Sequence, residues 1–225
     1  MKRTWCIPPH QNADFVANME DVLKVYSLPY NEKRPVVCMD EEPVQFLAEN
    51  RKSFTSSSGV KYEDNEYIRN GTASIFIFTE PLAGWRYAEA HEKRTKIDWA
   101  KQIRHLVDDE YPEAEKIVLV MDNLNTHRIS SLYEAFPPAE ASRIADKLEI
   151  HYTPKHGSWL NIAECELSVL GRQCLGSRRI PDFKSLQKEI SPWAADCNAK
   201  QKGIDWQFTT EDARIKLKKL YPVLS

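Results

Sequence analysis

Residues 117–121, Ile-Val-Leu-Val-Met, form a continuous apolar run that ends at Asp122. A run of this kind is typical of a β-strand buried on both faces of a sheet. In open α/β sheets, ligands bind at the carboxyl ends of such strands. We therefore expect the Asp122 carboxylate to emerge at a functional edge of the fold. The alternative is that Asp122 only caps the next helix or forms an Asx turn.

A second apolar stretch ends in the same way. Val36-Val-Cys-Met leads into Asp40 and then into Glu41-Glu42-Pro43. The pattern predicts a short strand that stops at an acid. Two strands that each end at an aspartate indicate a site rather than a coincidence.

The residues between the two acids predict an antiparallel meander followed by a helix. Residues 50–70 are polar and predict a loop, and Asn70-Gly71 is a favoured hairpin dipeptide. Residues 73–79 and 85–91 have strand patterns, and the apolar spacing from Ile97 to Val107 predicts a helix. The strand that leads to Asp122 follows this helix.

Helices and one short strand account for the remaining segments. Residues 149–152 predict the strand, and the spacing of apolar residues predicts helices over 14–26 (with Asn12 or Asp14 as its cap), 129–136, from Pro138 onward, 159–170, 183–199 and 210–220. The prediction is an α/β fold whose mixed sheet, an antiparallel meander followed by parallel strands, is flanked by helices. We assign residues 1–35 to an N-terminal linker and helix, and residues 36–225 to one catalytic domain with C-terminal helices.

Composition limits the cellular context and the partners. No apolar run approaches the roughly 20 residues that cross a bilayer, and the N-terminus lacks the apolar core of a signal peptide, so we expect a cytoplasmic protein. The five cysteines form no Cys-x-x-Cys pair, which favours reduced thiols. The net charge of −2 argues mildly against a stand-alone nucleic-acid binder. Residues 151–225 carry 12 Lys and Arg against 8 Asp and Glu, an excess that a solvated surface explains equally well.

A third acid, Glu164, lies on the predicted helix over 159–170. Together with Asp40 and Asp122 it offers oxygen ligands that suit Mg²⁺ or Mn²⁺. Two such ions about 3.5–4 Å apart can activate an attacking oxygen and stabilise a leaving one on a phosphodiester. His127 and His156 are expected either to support this site or to be purely structural.

Two long motifs closely resemble the DDE transposases of bacterial insertion sequences related to mariner. They are Asp122-Asn-Leu-Asn-Thr-His127 and the segment 151–164, which contains Asn161-Ile-Ala-Glu164. Asn70-Gly71-Thr72, Arg94-Thr95-Lys96 and the tail segment 206–214 are also similar to that family. The resemblance implies an RNase H-like catalytic fold with Asp40, Asp122 and Glu164 as the catalytic, metal-binding acids. It further implies Mg²⁺-dependent hydrolysis at transposon ends, and then attack of the freed 3′-hydroxyl on target DNA, usually at TA.

Several further expectations depend on this resemblance. The expected cofactor is Mg²⁺ in a two-metal site, with Mn²⁺ as its substitute because both ions prefer oxygen ligands. The expected partners are transposon-end and target DNA and further copies of the chain, with no membrane, and the protein would act at the bacterial nucleoid. Expected supporting residues are Asn123, His127, Asn161 and His156, and expected contacts to the DNA backbone are Lys155, Arg172, Arg178 and Arg179.

Helix geometry does not separate Glu164 from Glu166, because both lie about 80° from the centre of the apolar stripe. Asn161 favours Glu164, since its amide is placed to orient that carboxylate or to contact DNA. Glu166 is then expected to be a rim carboxylate paired with a Lys or Arg, of little consequence for stability.

Two departures from the family pattern leave alternatives open. Relatives carry an N-terminal helix-turn-helix region, for which residues 1–35 have no room, and Asp122 and Glu164 are 42 positions apart, further than in mariner proteins. We therefore expect a catalytic domain with its linker, or the product of a truncated reading frame. The rival functions are a non-catalytic product that inhibits or binds full-length transposase, and another RNase H-like nuclease such as a resolvase.

Overall fold

The computed structural model describes residues 7–223 except Pro9, Glu63 and Ser177. In this part of the chain, five strands form one sheet in the order β5-β4-β1-β6-β7, and two short strands form a separate ribbon, β2-β3. The strands are Val36–Glu49 (β1), Phe54–Thr55 (β2), Lys61–Tyr62 (β3), Tyr67–Glu80 (β4), Trp85–His91 (β5), Ile117–Met121 (β6) and Leu148–Tyr152 (β7).

The sheet is mixed, as predicted. Strand β4 pairs antiparallel with both β5 and β1, while β1, β6 and β7 are parallel to one another. The described helices are Ala13–Tyr26 (α1), Lys96–His105 (α2), Ile129–Ala135 (α3), Pro138–Asp146 (α4), Ile162–Leu170 (α5), Phe183–Lys200 (α6) and Thr210–Lys216 (α7). None of these helices is both long enough and apolar enough to cross a membrane.

Strand β6 lies at the centre of the fold, with all five of its residues buried. Val118 and Val120 pack into a core on one side of the sheet, and Ile117, Leu119 and Met121 pack into a second core on the other side. The first core contains residues of α1, α5 and α6, and the second contains residues of α2, α3 and α4. The continuous apolar run therefore forms a strand covered on both faces, as the sequence predicts.

Strand β1 does not stop at Asp40, so that prediction was wrong. It continues antiparallel to β4 as far as the pair Glu49↔Tyr67. Its pairing with β6 ends at Cys38, so Pro43 occupies a stretch of β1 that pairs on one side only, where a missing N–H is tolerated. Asp40 therefore lies within a long strand, just past the point where β6 leaves it.

The polar region 50–70 also differs from the predicted loop. It contains the β2-β3 ribbon and the beginning of β4, and Asn70-Gly71 lies inside β4 rather than at a hairpin turn. The register with β1 shifts between Gln45 and Leu47, opposite Gly71, whose φ is 102°. A glycine with positive φ is the residue that a β-bulge requires, so the dipeptide forms a bulge instead of a turn.

Smaller corrections concern helix ends. The predicted helix over 159–170 divides into a 3₁₀ turn, Ser158–Leu160, and α5. The segment 210–220 likewise divides into α7 and the 3₁₀ turn Lys218–Leu220. At the N-terminus, the side chain of Asn12 caps α1 by accepting from the Phe15 N–H at 2.9 Å. The predicted linker over residues 1–13 lies partly outside the described residues.

The cysteines agree with the expectation of reduced thiols. Cys38, Cys165, Cys174 and Cys197 are free, and Cys6 lies outside the described residues.

Candidate active site

The point where β1 and β6 separate brings two acids together. The last pair between these parallel strands is Cys38↔Val120. Asp40 and Asp122 each lie two residues further along, so they occupy corresponding positions on neighbouring strands, whose backbones are normally about 4.8 Å apart. Both side chains are half-buried. The pairing of β1 with β6 thus places the two aspartates side by side at the carboxyl end of β6.

The Asp40 carboxyl is in an environment that disfavours its charge. Burial and, to a smaller extent, the negative charges of Asp122 and Glu164 together raise its pKa from 3.8 to about 7, against the lowering effect of the Glu41 N–H that donates to Oδ1 at 2.8 Å. Asp122 and Glu164 therefore both lie within electrostatic reach of Asp40.

His127 contacts Asp122 from the face of the sheet that packs against α2, which is the face opposite α5. Its Nδ1 lies 2.5 Å from Asp122 Oδ1, and its Nε2 lies 2.9 Å from Glu41 Oε1. The imidazole is fully buried and stacks on Trp99 with ring centroids 5.9 Å apart. This is the contact expected of a supporting residue, although the role itself stays a prediction.

The two carboxylates determine the charge of His127. Burial alone would lower its pKa, but the hydrogen bonds to Asp122 and Glu41 outweigh burial and raise the pKa to about 9. The imidazole is therefore protonated at neutral pH and donates from both nitrogens. A positive charge therefore lies between Asp122 and Glu41.

Sequence reasoning missed Glu41 as part of this site. Neighbouring residues on a strand point to opposite faces, so Glu41 projects away from Asp40 and toward His127. The available signal was the acidic run Asp40-Glu41-Glu42 directly after the apolar residues 36–39. One oxygen of Glu41, Oε2, is buried without a hydrogen-bond partner among the described residues.

Helix α5 presents Glu164 to the two aspartates. Asn161 caps the helix: its Oδ1 accepts from the Ala163 N–H at 3.1 Å, and its Nδ2 donates to the Met39 carbonyl at 2.9 Å. The second bond attaches the start of α5 to the residue before Asp40. Glu164 Oε2 is buried and has no hydrogen-bond partner in the part of the chain that the structure describes.

The expected contacts of Asn161 were wrong. Its side chain is only 1% exposed, and the cap and the Met39 carbonyl use both ends of the amide. It therefore neither orients the Glu164 carboxylate directly nor presents a surface to DNA. It orients the whole helix instead.

The expectation for Glu166 was right about an Arg partner and wrong about its position at the rim. This residue is 2% exposed, and its carboxylate forms two hydrogen bonds with Arg86, at 2.5 Å to Nε and 2.9 Å to Nη2. It is a buried paired acid rather than a rim carboxylate. Its pairing leaves Glu164 as the acid of α5 with a free oxygen near Asp40.

Two of the predicted supporting residues lie apart from this network. Asn123 and His156 are exposed, and within the described chain neither is hydrogen-bonded to one of the three acids. His156 adopts a left-handed backbone with φ of 65°. The structure therefore gives neither residue a contact that supports the site.

The four predicted DNA contacts fall into two pairs. Lys155 and Arg172 are exposed to solvent. Arg178 pairs with Glu189 at 3.0 Å, and Arg179 donates to the carbonyls of Asp64 and Glu66 at 2.6 and 3.0 Å. The second pair thus already has partners within the chain.

The three carboxylates have the chemistry to bind a divalent cation, but their side chains are not arranged around one. Among the described residues, no three His, Cys, Asp or Glu side chains stand in an arrangement ready to hold a metal ion. Asp122 is turned toward His127, and Asp40 accepts from a neighbouring N–H. Three clustered carboxylates and the unpartnered Oε2 of Glu164 nevertheless supply the oxygen ligands and the negative charge that Mg²⁺ prefers.

A groove opens beside Glu164. It encloses about 440 Å³ between β1 and the segment that runs from α5 to Ile180, and Glu42, Gln45, Glu164 and Ser168 contribute polar groups to its lining. The groove gives an extended substrate access to the acid of α5.

Comparison with known proteins places these features in a family. A family model described as DDE superfamily endonuclease matches residues 35–187. None of the curated proteins compared matches the chain significantly. The solved structure of the catalytic domain of Mos1 mariner transposase superposes with a TM-score of 0.60 at 15% identity, covering 97% of this chain and 100% of that one.

Structures of larger Mos1 chains match in the same way. The paired-end complex with the left transposon end gives a TM-score of 0.62 at 15% identity and covers 98% of this chain, and the strand transfer complex gives 0.57 at 14% and covers 90%. The present chain covers 67% and 63% of those two chains, respectively. At such low identity these matches establish the fold, which is the predicted RNase H-like catalytic fold.

Proposed function

The chain belongs to the DDE superfamily endonucleases, whose family model covers residues 35–187, and we propose that it is the DNA cleavage and strand-transfer module of a transposase. The observation that carries the proposal is the register of β1 and β6. It brings Asp40 and Asp122 to the same edge of the sheet, and α5 brings Glu164 to them.

The reaction that we propose is metal-dependent hydrolysis of a phosphodiester bond at a transposon end, followed by attack of the freed 3′-hydroxyl on target DNA. Asp40, Asp122 and Glu164 would hold the divalent ions, Mg²⁺ or Mn²⁺ in a two-metal site. Ions bound there supply charge neutralisation and an activated attacking oxygen. The Mos1 paired-end complexes that match this fold were solved with Mn and with Mg.

The remaining residues of the site position these acids. The His127 imidazolium donates to both Asp122 and Glu41 and so fixes the direction of the two carboxyl groups. Asn161 holds the first turn of α5 against the backbone of Met39. Because a strand, a strand end and a helix carry the three acids, the binding of cations would require their side chains to turn but not these elements to move.

Several finer features belong to the same proposal. The partners would be transposon-end and target DNA, with self-association in the transposition complex. The bacterial insertion-sequence origin is supported by the two sequence motifs around Asp122 and Glu164. Action at the nucleoid would follow from that origin.

The proposal is tested by incubating supercoiled plasmid with residues 1–225 and Mg²⁺, with and without an added N-terminal DNA-recognition domain from a relative. We expect Mg²⁺-dependent nicking that chelator abolishes and that Asp122→Asn eliminates while the protein stays folded. Wild-type cleavage by Asp122→Asn would refute the assignment of Asp122. Absence of nicking by either form of the wild type, with every metal tried, would refute the enzymatic function.

A further inference from the structure

Arg86 and Glu166 form a buried ion pair outside the cluster of three acids. Their side chains are 9% and 3% exposed, and two parallel hydrogen bonds join the guanidinium to the carboxylate. Arg86 also donates to the carbonyls of Gly84 at 2.8 Å and Lys202 at 3.1 Å. The pair thus connects the beginning of β5 and the segment after α6 to the middle of the helix that carries Glu164.

A contribution to stability is a weak explanation for the presence of this buried ion pair. Removing two charges from water is costly, and apolar side chains of similar volume usually replace a buried ion pair without loss of stability. Two parallel hydrogen bonds from a planar guanidinium fix the orientation of the carboxylate. Apolar side chains in the same place would not fix an orientation.

Apart from this ion pair, the directional side-chain contacts of α5 among the described residues lie at its start. The start of the helix is attached by Asn161 to the Met39 carbonyl and by the Tyr26 hydroxyl to the Leu160 carbonyl at 2.7 Å. Both contacts lie at one end of the helix, so they orient its middle and its far end less directly than its start. The apolar contacts of Ala163 and Leu167 are buried but non-directional.

Glu164 and Glu166 are two residues apart, which places them about 200° apart around the helix. A turn of α5 that moved Glu166 away from Arg86 would therefore also move Glu164 away from Asp40. We propose that Arg86 and Glu166 are a positioning pair that sets the rotation of α5 and so holds Glu164 at the two aspartates. This inference rests on the proposed function, since Glu164 matters there as the third acid.

The segment around Arg86 is itself held rigidly. Asn198 of α6 accepts from the Arg86 N–H and donates to the Arg86 carbonyl, both at 2.8 Å. A Cβ on Gly84 would lie 2.7 Å from the backbone of Gln201, so the turn before Arg86 packs directly against the segment after α6. The pair therefore connects α5 to a segment that is itself hydrogen-bonded to α6 and packed against the residues after α6.

The test uses the double variant Arg86→Met with Glu166→Leu, which removes both charges and keeps most of the volume. Single variants such as Glu166→Gln leave an uncompensated buried charge and are expected to unfold. The matched control is Arg143→Met with Asp108→Leu, which removes an equally bidentate but exposed pair with bonds of 2.7 and 2.9 Å. All proteins are full chains, compared by thermal unfolding, Mg²⁺-dependent nicking and Mn²⁺ titration followed by water proton relaxation.

We expect the double variant to fold but to melt somewhat below the wild-type temperature, because the carbonyls of Gly84 and Lys202 lose the donor that Arg86 supplies. Its maximal nicking rate and its Mn²⁺ affinity should each fall about 10–100-fold, as when outer partners of metal ligands are removed. The plasmid concentration that gives half the maximal rate should stay within about threefold, because Glu164 faces the metal and not the bulk of the DNA. The control variant should behave as the wild type.

Wild-type nicking rate and Mn²⁺ affinity in the folded double variant would overturn the positioning role. If the double variant does not fold, Arg86→Lys replaces it: this variant keeps the charge but loses the fork, and full activity there would overturn the inference equally. A wild type that does not nick, yet binds Mn²⁺ more tightly than the double variant, would refute the proposed function and leave the positioning role standing. A wild type that neither nicks nor binds Mn²⁺ would refute both.

Discussion

At the scale of single residues, burial and the neighbouring acids disfavour the ionised form of Asp40. Its pKa of about 7 lies above its ordinary value of 3.8, so its favourable contribution to folding is complete below about pH 3.8 and is lost as the pH rises through 7. Asp40→Asn cannot ionise and escapes this loss. In chelator, we expect the variant to melt at least about 2–4 °C above the wild type at pH 8, with a smaller difference at pH 4.

Thermal unfolding at the two pH values measures this difference, and adding Mg²⁺ at pH 8 serves as its control. Mg²⁺ should raise the melting temperature of the wild type more than that of Asp40→Asn, because the variant lacks one of the ligands. An equal gain from Asp40→Asn at pH 4 and pH 8 would show that the Asp40 charge is not the cause.

His127 has the opposite effect on stability. Its pKa is raised from 6.5 to about 9, so the stabilisation from its two carboxylate partners is complete below about pH 6.5 and is lost as the pH rises through 9. We expect the wild-type free energy of unfolding to fall between pH 7 and pH 10. The fall should be much smaller in His127→Gln, which is less stable throughout.

Urea unfolding across that pH range tests the role of His127. His156→Gln is the matched control, because His156 is an exposed histidine outside the network. The control should reproduce the wild-type pH profile. A profile of His127→Gln parallel to that of the wild type would mean that His127 does not carry the pH dependence.

At the scale of elements, α5 depends on the cap supplied by Asn161. Asn161→Ala removes the acceptor for the Ala163 N–H and the donor to the Met39 carbonyl. The expected loss is about 1–3 kcal/mol in the free energy of unfolding, measured by urea titration. Asn161→Asp keeps the cap but not the donor, so it should recover part of that loss. Equal stability of Asn161→Ala and the wild type would contradict the role of the cap.

The elements also show which predictions the sequence supports. Strand β6 was predictable because five consecutive apolar residues leave no face for solvent. Strand β1 was predicted too short, because Asp40 and Glu41 look like a strand end when the partner β4 is not known. The burial of Glu166 was not predictable, because its partner Arg86 lies 80 positions away in the chain.

At the scale of the whole molecule, the family and the approximate fold followed from motifs around Asp122 and Glu164. The network that supports these acids did not, because the contacts of Glu41, Asn161 and Arg86 are all between distant segments. Local patterns report propensity and burial, whereas such contacts depend on the packing of the complete sheet and its helices.

DNA binding is a property of the whole molecule. Because phosphate contacts carry no sequence information, we expect residues 1–225 to bind DNA weakly, without sequence preference, and with an affinity that falls steeply between about 50 and 200 mM salt. Lys155→Ala and Arg172→Ala should each reduce the salt slope by about 1. Arg179→Ala should change it less, because Arg179 is bound to the carbonyls of Asp64 and Glu66.

Fluorescence anisotropy with several unrelated duplexes measures both the affinity and the salt slope. Tight binding to one duplex sequence would contradict this view of the chain. An unchanged salt slope for both Lys155→Ala and Arg172→Ala would contradict the assignment of these residues as phosphate contacts.

The most direct test of the three-acid site is the rate of Mg²⁺-dependent nicking by Glu164→Gln. Glu166 cannot serve as its control, because Glu166 is buried against Arg86. The control is Glu113→Gln, an exposed glutamate that precedes β6 and so lies at the opposite edge of the sheet. We predict that Glu164→Gln lowers the rate about 10²–10³-fold with an unchanged melting temperature, while Glu113→Gln matches the wild type. Wild-type nicking by a folded Glu164→Gln protein would contradict the three-acid site.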